Sequence, residues 1–298
     1  MKRNLKMAFA WFALAFVATG LFLYALLNES YIGIIGFPFT GYNRERTVLE
    51  EAYFDKSEIS SIRVSVFSDN IKILKSSDDK FLIKIIGYKN NNKNFELENK
   101  NGCLEISRQQ WRRQKSFFIN YSSYSHIDIY VPEFNESETT SDEKSENLPD
   151  IYIKGTSGDV EIHDVALNNF VFERSSGDLY FRNTKLKKAF ESIASSGNTY
   201  GKLYCPGFES TSNSGDLRLK LLAEPTAEIS GSLSSGDFRL DLPSNMQGFS
   251  LNFHSRSGDY FNDFTGTRDE KKVDEVYKNG NIKISIETSS GDCRIRKY

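Results

Sequence analysis

Six aspartates in the second half of the chain occupy one repeated tetrad, Ser-Gly-Asp followed by an apolar or aromatic residue or cysteine. They are Asp159, Asp178, Asp216, Asp237, Asp259 and Asp292, preceded by Gly158, Gly177, Gly215, Gly236, Gly258 and Gly291. A seventh copy carries Asn198 after Gly197. Successive glycines are 19, 20, 18, 21, 22 and 33 residues apart. Carboxylates at a fixed period suggest a cation ladder, because equivalent residues of stacked coils lie about 4.8 Å apart. Two carboxylates at that spacing repel by roughly 1 kcal/mol even at the dielectric constant of water. Such a line needs solvent, backbone donors, metal or nearby bases, and Arg174, Arg218, Arg239, Arg256 and Arg294 are close in sequence. Calcium-binding β-rolls use a nonapeptide Gly-Asp repeat, and that spacing is absent. Gly tolerates positive φ, while Ser, Asp and Asn hold turns through bonds to the backbone. Asn198 makes those bonds without a charge. The tetrads therefore read as structural corners, one per coil, with Ca2+ binding as the minor alternative.

The residues after each tetrad alternate apolar and polar, the period of a half-buried strand. Val160, Leu179, Leu217, Phe238 and Cys293 are expected to stack in one inward column. Ile162, Phe181, Leu219, Leu240 and Ile295 form the next. A period near 20 residues with this alternation predicts an all-β, repetitive solenoid. The outward residues Tyr180, Tyr200, Arg218, Arg239 and Arg294 then form a stripe along the stack, suited to binding or to packing between coils.

Earlier segments extend the pattern. Ser68-Asp69-Asn70 reads as a degenerate tetrad with Asn70 in the apolar position. Asn101-Gly102 reads as a hairpin turn, and Pro132 stops the strand His126–Val131. Thr47–Glu58 is the one short helix candidate after the N-terminal segment. The last coil, near Tyr298, is expected to be an exposed edge able to stack on another molecule.

Residues 7–27 carry no charge and are long enough to span a bilayer as a helix. Lys2, Arg3 and Lys6 precede them, which keeps residues 1–6 cytoplasmic. The run is longer than the apolar region of a cleaved signal peptide, and no Ala-x-Ala site follows. An uncleaved, single-pass anchor is therefore expected. Residues 28–44, rich in Gly and aromatics, read as a juxtamembrane tether, and residues 45–298 as one extracytoplasmic domain.

Net charge is −2, which implies no nucleic acid. His126, His163 and His254 have no ligand partner at short spacing. Nucleophile elbows and phosphate loops are absent. Cys103, Cys205 and Cys293 fit neither a metal site nor a disulfide framework. Catalysis is not expected; a carbohydrate-active enzyme on a β-helix is the third reading. Two excursions stand out. Residues 133–150 form an acidic, apolar-poor insertion that reads as a mobile loop. Arg108, Trp111, Arg112, Arg113, Lys115, Phe117 and Phe118 interleave bases with aromatics, as suits an acidic partner, a wall polymer or an anionic lipid surface.

The series Ser-Asp-Asn-Ile-Lys-Ile, Asn-Gly-Cys-Leu-Glu-Ile, Ile-Asp-Ile-Tyr-Val-Pro and then serial Ser-Gly-Asp resembles the bacterial "putative adhesin" or toast-rack β-repeat family. The resemblance covers about residues 60–298; Asn198 and the insertion after Pro132 depart from it. It implies a β-solenoid attached to a membrane segment at the cell envelope, and it supplies no catalytic residues. The function expected is binding or sensing of an envelope protein, wall polymer or lipid surface. Adhesion to a wall polymer or another cell is the alternative.

Overall fold

A computed structural model describes residues 46–88, 95–108, 125–134 and 148–298. In chain order the first strands are β1 (Arg46–Asp55), β2 (Ser61–Val66), β3 (Asn70–Lys75), β4 (Lys80–Tyr88), β5 (Phe95–Lys100), β6 (Cys103–Arg108), β7 (His126–Val131) and β8 (Asp150–Gly155). Next come β9 (Val160–His163), β10 (Ala166–Leu167), β11 (Asn169–Arg174), β12 (Leu179–Leu186), β13 (Phe190–Ser196), β14 (Thr199–Tyr204), β15 (Phe208–Ser214) and β16 (Leu217–Leu221). The last are β17 (Ile229–Ser235), β18 (Phe238–Leu242), β19 (Gly248–Ser257), β20 (Tyr260–Asn262), β21 (Arg268–Glu270), β22 (Lys272–Lys278), β23 (Ile282–Ser290) and β24 (Cys293–Lys297). These strands form two sheets, of 13 and 11 strands. Each coil lays one strand in the smaller sheet, turns through a tetrad, and lays the next strand in the larger sheet. Ser214-Gly215-Asp216, between β15 and β16, is such a corner.

Alternation decides which side of each strand faces the core. Leu217, Leu219 and Leu221 of β16 are buried, while Arg218 points out. Neighbouring coils pair in parallel and in register, so buried residues form columns. One column runs Ile71, Val160, Leu179, Thr199, Leu217, Phe238, Cys293 and Tyr260. Both inward columns read from the sequence are present. In the opposite sheet Phe170, Phe190 and Phe208 meet Phe181 and Phe238 across the core, with Phe190 and Phe208 stacked at 5.1 Å. Aromatic pairs at such distances add stabilisation beyond the area they bury.

The stack does not follow chain order at its ends. β23 lies between β17 and β19, and β24 lies between β18 and β20. The final coil is therefore interior, contrary to the expectation that it forms an exposed edge. The coil β19–β20 occupies the end instead, and β22 and β21 close it as antiparallel neighbours. Tyr298 folds back: its hydroxyl donates to the Leu221 carbonyl at 2.6 Å, and Lys220 Nζ sits 3.3 Å from its ring centre. At the opposite end the coil β6–β7 lies outside β2–β3, covered by β5 on one sheet and by β4 and β1 on the other.

Thr47–Glu58 is not a helix. Most of it is β1, paired antiparallel with β4, and only Lys56–Glu58 forms a single 3-10 turn. Thr47, Val48, Tyr53 and Phe54 favour extended backbone, and β4 supplies the unpaired edge they need. Asn101 and Gly102 take positive φ in the β5–β6 hairpin. Among the described residues no helix is long and apolar enough to cross a membrane. The spans 1–6, 7–27 and 28–44 lie outside the described residues, as does most of the acidic insertion 133–150.

Candidate functional site

The tetrads build a continuous ladder along one corner of the stack. The Asp159 N–H donates to Asn70 Oδ1 at 3.0 Å, and the Asp178 N–H donates to Asp159 Oδ1 at 2.9 Å. The pattern continues through Asn198, Asp216, Asp237, Asp292 and Asp259 at 2.8–3.1 Å. One oxygen of each side chain before the last thus holds the amide of the next coil, and Asn198 serves as well as aspartate. Asn70 occupies the aspartate position of the first rung and Ile71 the apolar one, which shifts the early tetrad by one residue from its sequence reading. The bases distribute unevenly. Arg218 and Arg294 pair with Asp216 and Asp292, Arg239 grips Asp241, and Arg174 turns inward. Among the described residues no group of three or more His, Cys, Asp or Glu is arranged to hold a metal ion.

This geometry separates two substitutions at one position. Asp237→Asn keeps the acceptor for the Asp292 N–H and should change stability by about 0.5 kcal/mol or less. Asp237→Ala leaves that amide unpaired and should cost about 1–2 kcal/mol. Urea unfolding of both variants checks the difference.

Asp69 takes the glycine position of the first rung and is fully buried. Its Oδ1 accepts from Arg108 Nη1 at 2.6 Å and from the Ser125 N–H at 3.2 Å. One carboxylate oxygen therefore pins both ends of the segment between β6 and β7. Arg174 lies beside it and donates to the carbonyls of Asp69, Ser157 and Gly158. Burial lowers the Arg174 pKa to about 10, opposed by the charges of Asp69 and Asp159. Arg108 is thus bound internally. Trp111, Arg112, Arg113, Lys115, Phe117 and Phe118 lie outside the described residues.

The outward stripe is continuous. Glu161, Tyr180, Tyr200, Arg218, Arg239, Arg294 and Phe261 are in-register neighbours on successive strands of the larger sheet. Tyr180 and Tyr200 stand with ring centres 5.0 Å apart, and His163 meets Tyr180 edge-on at 5.6 Å. With Asp159, Glu161 and Asp178 the two tyrosines line a shallow cleft of about 270 Å³. Burial first, then the carboxylates of Asp178, Asp159 and Glu161, raises the Tyr200 phenol above its ordinary pKa. Burial and Arg182 lower the His163 pKa, which favours its neutral form. At the far end, Arg239, Arg268, Arg294 and Arg296 line a second cleft of about 260 Å³ with Phe261. The Arg294 guanidinium lies 5.2 Å from the Phe261 ring centre.

The sequence reading found five members of this stripe. Glu161 and Phe261 were missed, as were Arg268 and Arg296, which line the cleft beside it. Phe261 and Arg268 are placed there by the end strands β20 and β21, whose place in the stack has no periodic signal. His126, His163 and His254 are not gathered into one site: they lie on β7, β9 and β19. The three cysteines are free. Burial pushes the Cys205 thiol up to about 12 and raises that of Cys293 as well.

A family model described as Toastrack DUF4097 matches residues 59–296. The chain belongs to the Toastrack DUF4097 family. The toast-rack match spans both sheets and every tetrad. Solved structures similar to this toast-rack chain include a "putative cell adhesion protein" from Clostridium sporogenes, 12% identical, covering 85% of this chain and 99% of that one, with a TM-score of 0.35. A "putative adhesin" from Bacteroides fragilis is 14% identical, covering 85% and 98%, with a TM-score of 0.42. A "putative lipid binding protein" from Parabacteroides distasonis is 13% identical, covering 85% and 97%, with a TM-score of 0.41. No curated protein matches.

Proposed function

We propose that this toast-rack domain is a non-catalytic adhesion module that binds a surface polymer along the outward face of its larger sheet. The observation that carries this reading is the in-register column from Tyr180 to Phe261. Five coil steps at about 4.8 Å make a track of about 24 Å. That is the form of a site for an extended chain. A small substrate would call for a deep pocket with convergent polar groups. In the proposed arrangement residues 7–27 anchor the chain and residues 45–298 lie outside the membrane. The Trp111 segment would then be a second contact, rooted through Arg108 and Asp69.

The test is retention of the full chain, in detergent, on isolated bacterial cell-wall material. Tyr180→Ala combined with Tyr200→Ala is expected to weaken retention roughly tenfold or more, since buried tyrosine contacts dominate interfaces. The melting temperature should stay close to that of the parent, because both rings lie on the outer face. Unchanged retention in a folded double variant overturns the assignment to this face.

A further inference from the structure

We infer that the polymer taken by this face is an acidic polysaccharide, with sugar rings read at the tyrosines and carboxylates read at the arginines. This rests on the surface-polymer reading and specifies its ligand. The two ends of the track differ in chemistry. At one end Tyr180 and Tyr200 form an aromatic platform flanked by Asp159, Glu161 and Asp178. The face of an aromatic ring is electron-rich. It suits the apolar C–H face of a pyranose, while the carboxylates accept from ring hydroxyls. An acid group would be repelled there.

At the other end the lining is cationic. Arg239, Arg268, Arg294 and Arg296 converge on one cleft with a single lining carboxylate, Asp263. Arg268 and Arg296 have no ion-pair partner among the described residues, and neither does Lys202, two residues beyond Tyr200 on β14. Arg239 is held by both oxygens of Asp241, at 2.9 Å each. Arg218 and Arg294 each give one nitrogen to an aspartate, at 2.5 and 3.1 Å. A guanidinium carries five N–H donors in a planar fork, so most of theirs remain for a ligand. Phe261 lies close to Arg294 and limits its freedom. Arginine forks match carboxylates with two parallel bonds. Asp216, Asp241, Asp263 and Asp292 lie among these bases. They temper the field and favour a ligand with spaced single charges over a dense polyanion. A polymer that satisfies both ends has rings with an apolar C–H face and intermittent carboxylates, which is a uronate-bearing glycan.

The experiment measures binding of the full chain, in detergent, to three probes: hyaluronan, which carries a carboxylate on every second ring, its fully methyl-esterified form, and polyphosphate. The expected result is binding to hyaluronan that weakens as salt rises. Arg268→Gln with Arg296→Gln should weaken it roughly tenfold or more, because two charge-assisted contacts are lost. Tyr200→Ala should weaken it too. Equal binding of the methyl ester overturns the acidic class, and preference for polyphosphate overturns the sugar. If none of the three binds while the chain is still retained on cell-wall material through Tyr180 and Tyr200, the glycan class is wrong and the adhesion reading stands. If retention is also lost or insensitive to the tyrosines, both fail.

Discussion

Gly215→Ala is expected to lower the unfolding free energy by about 4–5 kcal/mol, a loss seen only where packing or backbone is badly violated. Gly215 has φ +130, a conformation that L side chains rarely adopt. A Cβ there would lie 2.1 Å from the Gly197 carbonyl oxygen and 2.7 Å from its carbon. Those are backbone atoms, and they are fixed. The Gly197 N–H donates to Ser214, the Gly215 N–H to Ser235, and the Thr199 N–H to Asp216, all at 2.9–3.1 Å. The rungs cannot separate without breaking this ladder. Gly266→Ala is the control: its φ is +79, but nothing lies within 4 Å of the added carbon. It should cost about 1 kcal/mol from backbone strain alone. Chemical denaturation of both variants reads the difference directly. Equal losses would mean that contact between coils does not account for the glycines.

Removing residues 281–298 is expected to detach the entire end of the stack, although the cut lies at the end of the chain. β23 and β24 supply the pairing partners of β19 and β20 on one side and of β17 and β18 on the other. Deletion removes Ile284, Ile286, Cys293 and Ile295 from the core. Each apolar side chain contributes about 1.5–3 kcal/mol by burial. The only strand pairing left to the unit from Phe249 to Lys278 is then antiparallel and internal, β19 with β22 and β20 with β21. Limited proteolysis should cut within 248–278 of the shortened chain while β8 to β18 stay protected. Native-like protection of 248–278 would mean that β19 and β20 close directly onto β17 and β18.

The corner motif was readable because it is local. A glycine, at positive φ in six of the seven tetrads, and an Asx side chain that reaches the next amide recur with the coils, so the same letters return about every 20 residues. The inward columns were readable for the same reason: alternation is a property of each strand alone. Asp69 shows where that logic stops. In sequence it belongs to a weak tetrad; in space it replaces glycine at the first rung and neutralises Arg108 beside Arg174. No spacing joins residues 69, 108 and 174. The β1 segment shows the same limit, because its extended form depends on β4, some thirty residues downstream.

From local pattern alone came the class of the protein: a stack of short coils, turned at Ser-Gly-Asp, with an outward line of tyrosine and arginine. Strand period and turn chemistry act over a few residues, so a single chain segment carries them. The order of coils at both ends, the interior place of the last coil, and the meeting of Arg294 with Phe261 and Arg268 came from long-range pairing. A hydrogen-bonded strand edge accepts any segment of suitable shape and inward pattern. Several coils fit each edge equally well by local rules, and the choice among them rests on packing summed over the whole core.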